Sequence, residues 1–265
     1  MPLRQTDAIV LRTYPLKESD RIVVFFTREY GKRRGVSRGA RNTRSRFGSA
    51  LEPLTEVRIT YFERPQRELA TIDHCELRQS LLASGDGAGF ERLLALGCIA
   101  EVSDRILPDH ETNDAAYRLL RLVLEALRSE LPVWLPLTYF LYWMVRLGGF
   151  LPDLEYCAGC RRGLGEAESF YARGRAGLYC SGCRPPHGSR LRAAPRRLAA
   201  AGLAGPLAAL PPEAWQAPEP TADLREFFRC ALEDHLEAPL RSWPLLAGLT
   251  PETAPPKAGN DIENA

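Results

Sequence analysis

The sequence predicts an α+β protein: a small β-barrel or sandwich, then an α-helical domain, with a metal module inserted in the helical part. Three observations carry this. Short strand-like segments fill the stretch from residue 3 to about 77, helical spacings of three and four take over after residue 78, and two CxxC pairs lie in a Gly- and Arg-rich stretch.

The β part reads as "AIVLRTY", "DRIVVFFTREYGKRRGVSRG", "TEVRITYFE" and "ELATIDHCEL", about five short strands in all. Val57, Ile59 and Tyr61 alternate with Arg58, Thr60 and Phe62, the period of two of a half-buried strand. "YGK" marks a turn, and the Gly and Ser residues between Gly31 and Gly48 mark a loop. In the helical part, Thr112 is the expected cap of a helix carrying Asp114 in its first turn. Its apolar stripe is Ala116, Leu119, Leu120, Val123, Leu124 and Leu127. "LPVWLPLTYFLYWMVRLGGF" has Pro132 near its start, is apolar almost all round, and ends at Gly148 and Gly149, as a central helix should. After the cysteine-rich insert, Thr221 precedes a second stripe of Leu224, Phe227, Phe228, Ala231, Leu232 and His235. The expected organisation is a β domain over 1–79, a helical domain over 80–247 with the metal module at 153–190, and a disordered, Pro- and polar-rich tail over 248–265.

Composition narrows the function. With 45% apolar and 26% charged residues in 265, the chain can bury a sizeable core. It has no long uncharged apolar run and no apolar segment before a cleavage site, so a cytoplasmic protein without a membrane span is expected. The net charge of +2 hides a segregation: residues 1–80 hold 16 Lys or Arg against 10 Asp or Glu. Such a localised surplus attracts polyanions.

The surplus is densest in "YGKRRGVSRGARNTRSRF", with Lys32, Arg33, Arg34, Arg38, Arg41, Arg44 and Arg46 and no acid between them. A charge run is commonly a solvated face. Here it is interrupted by glycines and flanked by strands, which fits a barrel edge and its connecting loop. Small barrels bind single strands by joining a positive groove to aromatic platforms, and Tyr30, Phe47, Tyr61 and Phe62 are candidate rings. Such contacts would be general, not sequence-specific.

Cys157 with Cys160 and Cys180 with Cys183 are separated by 19 residues, a spacing suited to one tetrahedral zinc ion. Four thiolates leave no position for water, so the expected zinc (Zn2+) is a structural staple. A zinc-dependent nucleic-acid enzyme and a CxxC redox protein are the alternatives, the second without the βαβ pattern that accompanies thioredoxin-like pairs. Arg161, Arg162, Arg173, Arg175 and Arg184 lie near the cysteines and read mainly as solvated. Cys75, Cys98 and Cys230 read as small buried residues. His74, His110, His187 and His235 are isolated, with no catalytic motif around them.

Residues 8 to 55 combine a KESD turn, a T-x-E-x-G-K hairpin, a GAR loop and an S-x-F-G-x-x-L-E-P run; "GGFLPDLEYCAGC" and the second Cys pair follow. On these motifs the chain resembles the bacterial RecO family of recombination mediators, with the same module order over approximately residues 1 to 247. The resemblance implies an N-terminal OB-fold β-barrel followed by an α-helical domain with an inserted four-cysteine zinc module. It implies a non-enzymatic, nucleoid-associated protein that binds single- and double-stranded DNA and anneals complementary strands. Its implied protein partners are RecR, single-stranded DNA-binding protein and, indirectly, RecA, which RecR helps to load. By the same resemblance the seven basic residues from Lys32 to Arg46 take the DNA role and the four cysteines the metal role. One departure is "WPLLAGL" after "APLRS", where the family often continues with a further basic residue.

Overall fold

The computed structural model describes residues 3–42, 45, 47–64, 67–80, 89–129, 131–211, 213 and 219–248. Arg44, Arg46 and all of the expected disordered tail except Gly248 lie outside this set.

Strands β1 (Leu3–Leu16), β2 (Asp20–Thr27), β3 (Gly31–Ser37), β4 (Glu56–Phe62) and β5 (Ala70–Gln79) close into a barrel in the order β1-β2-β3-β5-β4. All pairs are antiparallel except β3 with β5, which run parallel through Gly35–Ser37 and Ala70–Ile72. This five-stranded arrangement is that of an OB-fold. The alternation in β4 holds: Val57, Ile59 and Tyr61 are buried and Arg58, Thr60 and Phe62 are half-buried.

"AIVL" and "VVFF" are continuous apolar runs because both faces of β1 and β2 are covered. Ala8, Val10, Val23 and Phe25 point into the barrel. Ile9, Leu11, Val24 and Phe26 point the other way and join the core of the helical region. The barrel and the helices therefore share one continuous packed interface.

That region is built from α1 (Phe90–Ile106), α2 (Asp114–Arg128), α3 (Trp134–Leu147), α4 (Ala193–Ala201), α5 (Ala222–Leu236) and the short α6 (Trp243–Ala247). Helix α3 is central, with every residue from Trp134 to Tyr142 buried. It stops at Gly148 and Gly149, the latter at φ +78°, a backbone conformation that glycine adopts without a Cβ clash. The predicted stripe of α2 is buried throughout, but its cap is Asn113, whose Oδ1 accepts from the Ala116 N–H at 2.9 Å, and not Thr112. Thr221 precedes α5 without capping it: its hydroxyl accepts from Arg225 at 2.6 Å.

The cysteine-rich stretch folds as a three-stranded sheet of β6 (Ser169–Ala172), β7 (Arg175–Tyr179) and β8 (Ser189–Leu191), in the order β7-β6-β8. Despite its low apolar content it is no isolated module. Leu154, Leu164, Tyr171, Leu178 and Leu191 belong to the helical core, and Tyr171 meets Phe227 of α5 edge-on at 5.1 Å. Arg196 of α4, 2% exposed, donates to the carbonyls of Leu154 (2.7 Å), Gly165 (2.6 Å) and Ala167 (3.1 Å), fastening the loop before β6 to the helices.

Candidate nucleic-acid interface and metal centre

The basic run divides by the alternation of β3. Lys32, Arg34, Val36 and Arg38 face outward; Arg33, Gly35 and Ser37 face the barrel. Position along the strand then decides each residue's surroundings. Lys32 lies where the barrel meets the helices and is 4% exposed. Its ammonium donates to the Asp104 carbonyl, lies 3.2 Å from the Asp109 carboxylate, and 3.9 Å from that of Asp104. The Lys32 carbonyl accepts from the His110 N–H at 3.0 Å. Gly31, at φ +69°, leaves room for the Glu111 carbonyl where a Cβ would sit. Arg33 is also buried, its Nε 2.8 Å from Glu63, which holds Arg4 at 3.0 Å as well.

Lys32 and Arg33, expected to contact phosphate, are both buried and ion-paired inside the protein. Two of the four candidate rings fall away for the same reason, since Phe47 and Tyr61 are core residues of the barrel. Tyr30 carries the Arg4 guanidinium 4.3 Å above its ring, so one face is taken. Phe62 stays half-buried on the outer face of β4, beside exposed Leu3.

Farther along, the charge reaches water. Arg34 is half-exposed and leans on Asp109 at 3.1 Å. Arg38 and Arg41 are exposed at the turn after β3. Two contacts shape that turn: the Asp20 carboxylate accepts the Gly39 N–H at 2.9 Å, and the Arg41 N–H donates to the Ser19 carbonyl at 2.9 Å. The Gly39 N–H, aided by Ser19 and by the charges of Arg38 and Lys17, holds Asp20 below the usual carboxylate pKa.

The fold also brings up arginines that the linear run does not contain. A groove of about 340 Å³ opens between β3, the β4–β5 connection and the α1–α2 connection, with Arg34, Arg64, Arg67 and His110 among its walls. Arg64 and Arg67 are exposed, and the Arg67 N–H donates to the Arg64 carbonyl at 3.0 Å, placing both on one tight turn. In sequence they stand in "ERPQRE", where three acids and amides mask the clustering.

The metal expectation meets a definite geometry. The Sγ atoms of Cys157, Cys160, Cys180 and Cys183 all lie within 4.8 Å of one another. Cys160 and Cys180 are 3.8 Å apart, too far for a disulfide and close to the edge, about 3.8 Å, of a tetrahedron with Zn–S bonds of about 2.3 Å. Cys157 is fully buried; burial raises its pKa, but N–H groups of Cys160, Cys180 and Gly159 outweigh it and bring the thiol down to about 6. Hydrogen bonds with Cys160 and Cys180 push Cys183 up to about 12. Four sulfurs this close together suit a single cation placed among them. The donor set thus fits a thiophilic divalent metal. Gly159 sits close against the site: a Cβ there would approach the Cys183 sulfur to 3.1 Å.

The remaining cysteines are ordinary: Cys75 and Cys98 are buried, each pushed up to about 12 by burial, and Cys230 is half-buried. His235 stacks on Phe150 at 4.2 Å, a packing role.

The family model described as "Recombination protein O N terminal" matches residues 1–81, and that described as "Recombination protein O C terminal" matches residues 88–244. The chain is 43% identical over 238 residues to the DNA repair protein RecO of Koribacter versatilis (strain Ellin345), covering 90% of this chain and 96% of that one. It is 34% identical over 234 residues to the DNA repair protein RecO of Anaeromyxobacter sp. (strain K), covering 86% and 89%. To that of Streptomyces griseus subsp. griseus it is 35% identical over 192 residues, covering 70% and 76%.

Proposed function

Because this chain belongs to the RecO family, we propose that it is a DNA repair protein that works by holding DNA and not by chemistry on it. It binds single- and double-stranded DNA, lets complementary strands anneal, and with RecR helps to load RecA onto DNA coated by single-stranded DNA-binding protein. One observation supports the DNA role most directly: Arg34, Arg38 and Arg41 reach water along the outer edge of β3 and its turn. Arg44 and Arg46 follow them in the sequence. Guanidiniums so placed replace condensed counterions on a phosphate backbone, which gives affinity without sequence preference and lowers the repulsion between two strands.

The metal role falls to Cys157, Cys160, Cys180 and Cys183, holding one structural zinc. Four sulfur donors close the coordination sphere, which favours a staple for the β6–β8 sheet over a hydrolytic centre.

The test is a salt series of binding to single-stranded DNA, comparing wild type with Arg38→Ala/Arg41→Ala. The slope of log K against log salt should become shallower by about 1.4, at about 0.7 per lost phosphate contact. Equal slopes would remove the β3 edge from the DNA path.

A further inference from the structure

The groove that Arg33 and Arg34 line also gathers Arg4, Arg64 and Arg67 from outside the seven-residue basic run. At its floor one carboxylate, Glu63, is shared by the two guanidiniums of Arg4 and Arg33. Its rim carries Arg64 and Arg67 together with exposed Glu68. Arg64 and Arg67 are exposed on one turn, and no ion pair engages either among the described residues. The parallel pairing of Gly35 with Ala70 is what sets this turn against β3, so the turn stands next to Arg34 although 30 residues separate them in sequence.

The same turn follows directly from Phe62, whose ring is on the outer face of β4 because Tyr61 points inward. Phe62 is paired with Leu3, 58% exposed, and with Thr71. A half-buried aromatic ring thus stands at the end of the strand that leads into the turn of Arg64 and Arg67. From Arg34 to Arg38 the strand advances about 13 Å at about 3.3 Å per residue, so the groove continues the line of the β3 arginines and is not a separate patch.

We propose that the β4–β5 turn is a second grip on single-stranded DNA, with Arg64 and Arg67 holding consecutive phosphates and Phe62 receiving an unstacked base. The inference rests on the DNA-binding reading above and extends the strand's path from Arg38 and Arg41, past Arg34, across the barrel mouth. An unpaired strand is the matching ligand, because a base can lie on an aromatic ring only when its own stack is open. Phosphate contact alone would serve a duplex equally; the ring adds the preference.

The experiment uses the full chain and a fluorescent oligothymidylate, with anisotropy read across a salt series. Arg64→Ala/Arg67→Ala should flatten the slope by about 1.4, and Arg64→Lys/Arg67→Lys should restore it, since a phosphate accepts either cation. Phe62→Leu keeps apolar bulk on the strand and should weaken binding by roughly ten-fold at every salt concentration without changing the slope. The same ring change should leave affinity for a blunt duplex unaltered.

If Arg64→Ala/Arg67→Ala retains the wild-type slope while Arg38→Ala/Arg41→Ala loses it, the second grip is overturned and the parent reading stands. If wild type itself binds without salt dependence, the parent reading fails. Equal losses on duplex and single strand from Phe62→Leu would overturn the base platform.

Discussion

Lys32→Met separates a structural lysine from a DNA-binding one. Methionine keeps much of the aliphatic stem and deletes the charge that joins β3 to Asp104 and Asp109. At an effective dielectric of about 20, charges 3.2 Å apart attract by about 5 kcal/mol, most of it offset by desolvation. Stranding a fully buried partner typically costs about 3–5 kcal/mol. Here the loss is smaller, because Asp104 keeps Arg12 at 3.3 Å and Asp109 is 39% exposed to water. The expected destabilisation is about 2–3 kcal/mol, a fall in Tm on the order of 5–10 °C for a chain of this size. Thermal unfolding measures the first effect and the DNA salt series the second, where the slope should match wild type. The reasoning is refuted if Lys32→Met melts like wild type and its slope drops by about 0.7, the signature of a lost phosphate contact.

Two further outcomes follow from the same geometry. Metal analysis should return about one zinc per chain, and stripping it with a thiol-reactive mercurial should release that zinc, perturb the near-ultraviolet signal of Tyr171 and Tyr179 and lower Tm; a protein purified metal-free with an unchanged melt would refute the staple. For Glu101, 7% exposed, burial raises the carboxyl pKa, but the Ser242 hydroxyl, the N–H groups of Arg241 and Ser242, and Arg105 outweigh it and hold it below its ordinary value. A depressed folded pKa means that its contribution is complete above the unfolded value, about 4.3, and is lost as pH falls through the folded one. Urea unfolding of wild type and Glu101→Gln should therefore differ by a constant at neutral pH and converge in acid; a gap that persists at the lowest pH would contradict this.

Periodicity made the architecture legible. The stripe of α2, the all-round apolar α3 and the alternation in β4 depend on neighbours a few residues apart, and each is buried as its spacing requires. The cysteine set was legible too, because ligand spacing is a local property. The fates of the basic residues were not. Whether Lys32 meets water or Asp104 depends on a helix some 70 residues away, and composition records nothing of that contact. Arg64 and Arg67 escaped notice for the converse reason, since a parallel strand pair places them beside Arg34 and no linear pattern announces it. Aromatic residues misled in a third way: Phe47 and Tyr61 have the chemistry of a stacking platform, but a five-stranded barrel needs large rings to fill its interior. The shift of the α2 cap from Thr112 to Asn113 is a choice between adjacent residues that both favour caps.

Strands β1 and β2 have a consequence for how load passes through the molecule. Ile9, Leu11, Val24 and Phe26 are as deeply set among the helices as Ala8, Val10, Val23 and Phe25 are within the barrel. A pull applied to the outer edge of the barrel is borne by side chains of β1 and β2 that pack on α1 and, through Phe26 and Tyr117, on α2. Tension on the N-terminal third is thus passed to the helices through the buried core the two regions share.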